Sequence, residues 1–485
     1  MYFIGIDLGT SGVKVLLMDE TQDVLGFTQQ QIAVSRPHPG WSEQNPADWI
    51  QATETALDEL QTRFPRQVAA VKGISLSGHM HGATLIDKDD KVLRPCILWN
   101  DTRSFHEAAE LDADPIFRSI SGNIVFPGFT APKLVWLRNN EKEFFSRVHK
   151  VLLPKDYLRL WLSGDYASDM SDSAGTAWLD TGARRWSDRL LSACWLDQSQ
   201  MPALFEGTAA TGRLRKPLAE RWKMQAVPVI AGGAGDNAAS ACGMGIVSAG
   251  SAFVSLGTSG VLFAATDRYL PRPESAVHAF CHAVPQTWHQ MGVILSATDS
   301  LNWYAKICGK SAGELTQALG DKLVAPSGIT FLPYLGGERT PHNNARVRAA
   351  FSGIGHDSDQ ASLTRAVLEG VSFAIRDNLQ ALRQAGTELK RLTAVGGGSR
   401  SDYWLAILAT VLDMPIDVPT ESDYGAALGA ARLAMIGAND ADPLAVCVKP
   451  EIEKTIEPDR RLTDLYAEAY ERYREFYPAI RAMGS

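Results

Sequence analysis

The chain has 485 residues, 45% of them hydrophobic and 21% charged, with a net charge of −8 at neutral pH. One hydrophobic core does not organise that length, so two large domains are expected. No Lys/Arg run is present, which excludes a nucleic-acid footprint, whereas a phosphorylated ligand needs only a few backbone amides and a local cation.

The opening MYFIGIDLGT is a strand pattern that carries a charge, unlike a secretory leader, and no apolar run is long enough to span a bilayer. The six cysteines are scattered without a C-x-x-C pair, so neither a disulfide framework nor a zinc site is expected, and the setting reads as cytoplasmic.

The first predicted element is a β-hairpin, an apolar strand running into LGTSGV at 8–13 and out through KVLL. Small residues in such a turn let N–H groups converge on an anion, and Thr10 and Ser11 add hydroxyl donors. Asp7 ends the first strand. A carboxylate beside a phosphate is tolerable if Mg²⁺ lies between them, so Asp7 reads as metal-facing through water, with Lys14 screening phosphate charge. The plain alternative is an Asp that merely caps a tight turn.

Strand-like runs at 24–30, 71–77, 83–86 and 227–231 alternate with helical stretches such as Pro46–Arg63, which predicts an α/β lobe. SGHMHGATL (77–85) follows one of these strands. Two histidines at i, i+2 lack a third ligand, so a metal site is not indicated. His81 suits hydrogen bonding to the hydroxyls of a polyol, and His79 reads as a core residue. LWNDTR (98–103) then places Trp99 and Asn100 beside Asp101 and Arg103, either a carbohydrate-lining group or an ordinary strand-to-loop junction.

VPVIAGGAGDNAASACG (227–243) reads as a buried strand, a glycine turn, then Asp236 and Asn237 opening a small-residue helix. Asp236 could simply cap that helix. The run AGGAG gives it little cover at a strand tip, where open α/β sheets place ligands. An exposed carboxylate there, with an ordinary pKa of about 4, is expected to be ionised and able to take the proton of an attacking hydroxyl.

A boundary is expected near 243–250, and LGTSGV recurs at 256–261 between strands of the same character, which points to a duplicated lobe. Ser255 replaces the acid of the first copy, so two hairpins would face one nucleotide asymmetrically, with Gly257 and Thr258 on the second. GGERTPHNN (336–344) is a polar turn cluster without an evident chemical role. A helix at 363–382 and a strand at 392–395 precede Gly396, Gly397 and Gly398, a candidate adenosine-side loop, and a helix at 403–412. The expected division is 1–244, 245–437 and a tail of 438–485, whose helix at 463–477 packs through Tyr466, Tyr470 and Tyr473.

In this order GIDLGTSGVK, SGHMHG, WND-R, PGFTAPKLVWL, LLPKDYLRLWLSGDYASDMSDSAGTAWLD, GGAGDNAA, SLGTSG, LPYLGGERTPH and GGGSRSDYW resemble the FGGY family of carbohydrate kinases over nearly the whole chain. The resemblance implies two ribonuclease-H-like lobes of the actin/hexokinase type, with the active site in the cleft between them and ATP and Mg²⁺ as cofactors. The M-H-G word, LPKDYLR and DMSDSAGT are most similar to members that phosphorylate the 5-hydroxyl of D-xylulose; another ketopentose or a pentitol is the neighbouring alternative. By position Asp236 matches the general base and Asp7 the acid near Mg²⁺. Met80 and His81 match the sugar-contacting pair, and Thr258 with the triple-glycine loop matches nucleotide-side positions. His79 stands where the members that phosphorylate D-xylulose usually carry Gln. Actin-like and chaperone ATPases also use two hairpins but need no SGHMHG or WND-R pocket. The expected partners are a sugar and ATP, with room for a homodimer and with neither nucleic acid nor membrane.

Overall fold

The computed structural model describes residues 1–420 and 424–483. Its first half is built on a seven-stranded sheet. The strands are β1 (Tyr2–Gly9), β2 (Gly12–Asp19), β3 (Val24–Gln31), β4 (Val71–Gly78), β5 (Ala210–Arg213), β6 (Val229–Ala231) and β7 (Ala234–Gly235). They run in the order β5-β6-β4-β1-β2-β3, with β7 beside β4. The second sheet comprises β8 (Ala252–Leu256), β9 (Gly260–Thr266), β10 (His278–Cys281), β11 (Trp288–Ile294), β12 (Leu392–Val395), β13 (Ile416–Pro419) and β14 (Ile452–Ile456). Its order is β10-β11-β9-β8-β12-β13-β14.

The two sheets share one plan. Each LGTSGV word joins an antiparallel pair, β1–β2 or β8–β9. The first strand of each pair takes a parallel partner, β4 or β12, followed by a second parallel strand and an antiparallel edge. The repeat in sequence is therefore a repeat in topology.

Alternation along β1 explains its depth in the sheet. Ile4, Ile6 and Leu8 face a cluster that includes Trp49, Ala56 and Leu60 of helix α1 (Pro46–Arg63). Phe3 faces the other side with Leu16, Met18, Ala427 and Ala431. Buried on both faces, the strand reads as nearly continuous apolar sequence. Helix α2 (Thr130–Asn140) lies in the long segment between β4 and β5, and α3 (Asp236–Gly243) follows β7 directly. Helix α4 (Gln360–Gln384) covers the second sheet.

Helix α5 (Gly425–Asn439) comes after β13 in the chain yet packs on the first sheet and on α3. Its small residues allow backbone contact. A Cβ on Gly429 would lie 1.7 Å from the Ala239 carbonyl oxygen, and one on Gly5 would lie 2.0 Å from that of Ala427. Since β1 carries Asp7 and α3 opens with Asp236, α5 is wedged against both acid-bearing elements. Helix α6 (Thr463–Met483) buries Tyr466, Tyr470 and Tyr473 against the second lobe, with Tyr470 donating to Asp377 Oδ1 at 2.6 Å. No helix among the described residues is long and apolar enough to cross a membrane.

The halves are joined by an apolar cluster that takes Phe126 and Phe129 from the first and Phe253, Phe263, Phe280 and Met291 from the second. The Asn123 amide pairs with the backbone of Ala279 at 3.0 and 2.9 Å, as an extra rung on edge strand β10.

Candidate active site

Three strands of the first sheet end together. Asp7 is in register with Ser77 across β1–β4, and Ala234 and Gly235 of β7 are in register with Ser77 and Gly78. Asp236 is the next residue, so both acids emerge at the carboxyl ends of parallel strands, where such sheets hold ligands. Ser77 Oγ donates to Asp7 Oδ1 at 3.0 Å, and Lys14 opposes Asp7 across the hairpin. Burial pushes the Asp7 pKa up, against the lowering pull of Ser77 and Lys14.

Gly235, not Asp236, occupies the cap position of α3. Asp236 Oδ1 accepts from the Asn237 backbone N–H at 2.7 Å and from Asn237 Nδ2 at 2.9 Å. The sequence suggested an exposed carboxylate with an ordinary pKa, and here the structure differs. Asp236 is half-buried, and burial, with the Asp7 charge second, pushes its pKa up to about 6. Met80 supplies apolar cover from the neighbouring loop: a Cβ on Gly235 would meet its Cγ at 2.9 Å. The Asp236 loop is also held from below. The Gly235 N–H donates to Ser171 Oγ at 3.1 Å, and Ser171 leans on Asp169, whose carboxylate lies 2.7 Å from the buried Lys155 ammonium.

His81 has φ +69°, a left-handed conformation that costs a non-glycine residue of order 1–3 kcal/mol. Its carbonyl is held by Lys133 Nζ at 2.8 Å and by Thr130 Oγ1 at 3.1 Å, both from the first turn of α2. Its ring stacks on Phe129 at 4.6 Å, and Nδ1 lies 2.7 Å from the Gly175 carbonyl. A carbonyl only accepts, so Nδ1 carries the proton. Burial holds the ring pKa down at about 3, so His81 is neutral and Nε2 keeps its lone pair.

The other predicted pocket residues fall in different places. His79 is buried with neither ring nitrogen partnered among the described residues, its edge against Trp49 at 5.9 Å. Trp99 is 45% exposed and donates from Nε1 to Thr10 Oγ1 at 3.0 Å, joining the WND-R loop to the first hairpin. Asn100 Oδ1 is buried without a partner among the described residues. Asp101 and Arg103 form a buried pair at 2.7 Å, with Arg103 stacked 3.5 Å from the centre of the Trp41 ring, which makes them structural.

The hairpin tips are pinned through their carbonyls. Thr10 O accepts from Gln44 Nε2 at 2.7 Å; Gly257 O accepts from the Thr298 hydroxyl at 2.7 Å and Thr258 O from the Ala297 N–H at 2.8 Å. The N–H groups of Thr10, Ser11, Thr258 and Ser259 donate to nothing among the described residues, the condition for anion binding at a turn. Beside the second hairpin opens a cavity of about 1080 Å³, lined by Gly397 and Gly398 together with Thr298, Asn302, Gly313, Tyr403 and other residues. Gly396 has φ +89°, and a Cβ there would lie 2.8 Å from the Leu256 carbonyl, whereas one on Gly397 would meet nothing within 4 Å.

Sequence reasoning missed Lys133, Thr130, Gly175 and Ser171, because each acts through tertiary contact with a distant loop. It also missed Thr298, Asn302 and Gly313. The one local signal was the capping box of Ser311 and Glu314, which marks a helix start beside the cavity.

Comparison with known proteins agrees with this geometry. Residues 2–243 match the N-terminal domain of the FGGY family of carbohydrate kinases, and residues 252–438 match its C-terminal domain. The chain is 49% identical to the xylulose kinase of Escherichia coli over 99% of both chains, and 46% identical to that of Klebsiella pneumoniae over the full length of both. The crystal structure of a xyloylose kinase from Brucella ovis superposes with a TM-score of 0.99 at 62% identity, covering 100% of each chain. With both domain matches in order on a two-lobed α/β fold, the chain belongs to the FGGY family of carbohydrate kinases and is a sugar-phosphorylating enzyme.

Proposed function

We propose that this kinase transfers the γ-phosphoryl group of ATP to the 5-hydroxyl of D-xylulose, with Asp236 as general base. The observation that carries the reading is the Asp236 carboxylate, raised to about 6 beside Met80 at the end of β7. At neutral pH it is ionised, yet basic enough to draw a proton from a hydroxyl. The relatives named xylulose kinase support the choice of sugar.

Asp236 accepts the hydroxyl proton as the sugar oxygen bonds to the γ-phosphorus, and the bond from phosphorus to the bridging oxygen breaks to leave ADP. Asn237 fixes the carboxylate through its two hydrogen bonds. His81 offers its Nε2 lone pair to a sugar hydroxyl, Met80 forms an apolar floor, and Trp99 and Asn100 line the approach. The unused amides and the open space at Gly397 fit a nucleotide. Thr10, Ser11, Lys14, Gly257 and Thr258 would hold its phosphates, and Gly396, Gly397 and Gly398 its adenosine side. Asp7 would hold Mg²⁺ through water; when bound, the ion supplies positive charge that offsets the phosphates.

The six cysteines, none in a disulfide, suit a reducing cytoplasm. The test of substrate is ADP release measured across D-xylulose, ribulose, glycerol, gluconate and pentitols. D-Xylulose is expected to give the highest kcat/KM; a different leader reassigns the sugar and leaves the kinase in place.

A further inference from the structure

The GGERTPHNN loop (336–344), which the sequence leaves without a role, is built into the second lobe rather than exposed. Glu338 Oε1 accepts from the Leu295 N–H at 3.0 Å and the Arg339 N–H at 2.7 Å. Thr340 brackets Arg339 on the other side. Its N–H donates to Val293 O at 3.0 Å, and its hydroxyl accepts from the Val293 N–H at 3.0 Å while donating to Ala276 O at 2.9 Å. These bonds fasten residues 338–340 along the end of β11, so the backbone of Arg339 is fixed from both sides.

The Arg339 side chain leaves its own lobe. Its guanidinium lies 4.5 Å from the centre of the Phe126 ring, a first-half residue. Phe126 packs on Phe129 at 5.6 Å, and Phe129 stacks on the His81 ring at 4.6 Å. One aromatic wall thus carries Arg339 and His81, which arrive from opposite lobes. His278, 5.3 Å from Phe126, belongs to the same wall. The positive charge of Arg339 is close enough to help hold both histidines below their ordinary pKa, burial being the larger cause in each.

What sets Arg339 apart is what it lacks. It is half-buried, yet its guanidinium makes neither an ion pair nor a hydrogen bond among the described residues; the neighbouring Glu338 acts on it only through longer-range charge, its Oε1 being engaged by two backbone N–H groups. The buried Arg103, by contrast, is ion-paired with both Asp101 and Glu43. A guanidinium presents five N–H donors and no acceptor, and holding it partly desolvated without an acceptor is costly. A ligand rich in acceptor oxygens resolves that deficit.

We propose that Arg339 is a sugar-binding and specificity-determining residue that reaches across the cleft and donates to oxygens of the substrate on the His81 side, away from the hydroxyl that Asp236 deprotonates. Sugar binding is then read by both lobes, His81 accepting from a hydroxyl and Arg339 donating to a carbonyl or hydroxyl oxygen. The inference rests on the sugar-site reading of His81 above, and it adds a residue from the nucleotide-side lobe to that site.

The test is steady-state kinetics and calorimetric D-xylulose binding for Arg339→Lys and Arg339→Met. Losing a donor to a buried substrate oxygen is expected to raise the sugar KM and Kd about tenfold or more in Arg339→Met, with the ATP KM unchanged. Arg339→Lys keeps the charge and should recover part of the loss. A purely structural role would move melting temperature and both KM values together. If Arg339→Met fails to fold, Arg339→Lys alone decides the matter, because a single ammonium cannot reproduce a two-pronged contact. A sugar KM within twofold of wild type in the folded variants overturns the proposal. If wild type prefers another sugar in the substrate panel, that sugar replaces D-xylulose in both measurements, so the two readings fail separately.

Discussion

The two LGTSGV hairpins share a sequence and a topology but not an environment. The first ends in Asp7, which is hydrogen-bonded to Ser77 and faces Lys14, and its tip is tied down by Gln44 and Trp99. The second has Ser255 in place of the acid, an exposed Thr258, and an open cavity beside it. The first lobe brings the Asp7 and Asp236 carboxylates into partial burial at neighbouring strand ends, while the second sets small residues beside a larger space. The two hairpins thus keep one scaffold and differ at one strand end, where Asp7 stands in the first and Ser255 in the second.

The comparison breaks most sharply at Asp236. Asp236→Asn keeps the shape and an Oδ1 able to accept both Asn237 hydrogen bonds but removes the base, and kcat is expected to fall about 10³-fold while calorimetry still detects sugar and ATP. Near-normal turnover would sink the assignment. Next comes the asymmetric pair. Asp7→Asn is expected to lower kcat about 10²-fold and to raise the Mg²⁺ concentration needed for half-maximal rate, whereas Ser255→Ala at the matching position should stay within about twofold. Equal losses in the two variants would mean that the hairpins are functionally alike.

The pH profile sharpens the link between the acids. As the proposed general base Asp236 has to be ionised, and its pKa is raised to about 6, so kcat/KM is expected to fall as pH drops through that value. Part of the rise comes from the Asp7 charge, which disfavours a second negative group nearby. In Asp7→Asn the acid limb should therefore move to lower pH. A limb that stays in place would show that burial alone sets the Asp236 pKa.

Much of this was legible in the sequence, because turn chemistry is local. The hairpins, the strand–glycine–Asp run ending at Asp236, and the glycine loop at 396–398 each announce themselves within ten residues. The rest depends on contacts between distant segments. The raised pKa of Asp236 reflects burial and the charge of Asp7, more than 200 residues away in the chain, and the left-handed backbone of His81 survives because Thr130 and Lys133 grip its carbonyl. Helix α5 is not among the elements predicted from the sequence, and nothing local says that Gly429 must nest on Ala239 of the first half. Arg339 looked like part of a polar turn because its neighbours' hydrogen-bond partners lie on and just after β11, some 45 residues earlier.

The smallest expected effects separate two adjacent glycines on the second hairpin's side. Gly396 adopts φ +89° with the Leu256 carbonyl 2.8 Å from any Cβ, so Gly396→Ala strains backbone that cannot move without disturbing β8. It is expected to cost about 1–2 kcal/mol in unfolding free energy, read from urea midpoints, whether or not nucleotide is present. Gly397 has an ordinary backbone conformation and no heavy atom within 4 Å of a Cβ, and it faces the cavity. Gly397→Ala should leave the urea midpoint unchanged and raise the ATP KM a few-fold without touching the sugar KM. That split ties the cavity to the nucleotide independently of the first hairpin, and a Gly397→Ala enzyme with an unaltered ATP KM would move the adenosine elsewhere in the cleft.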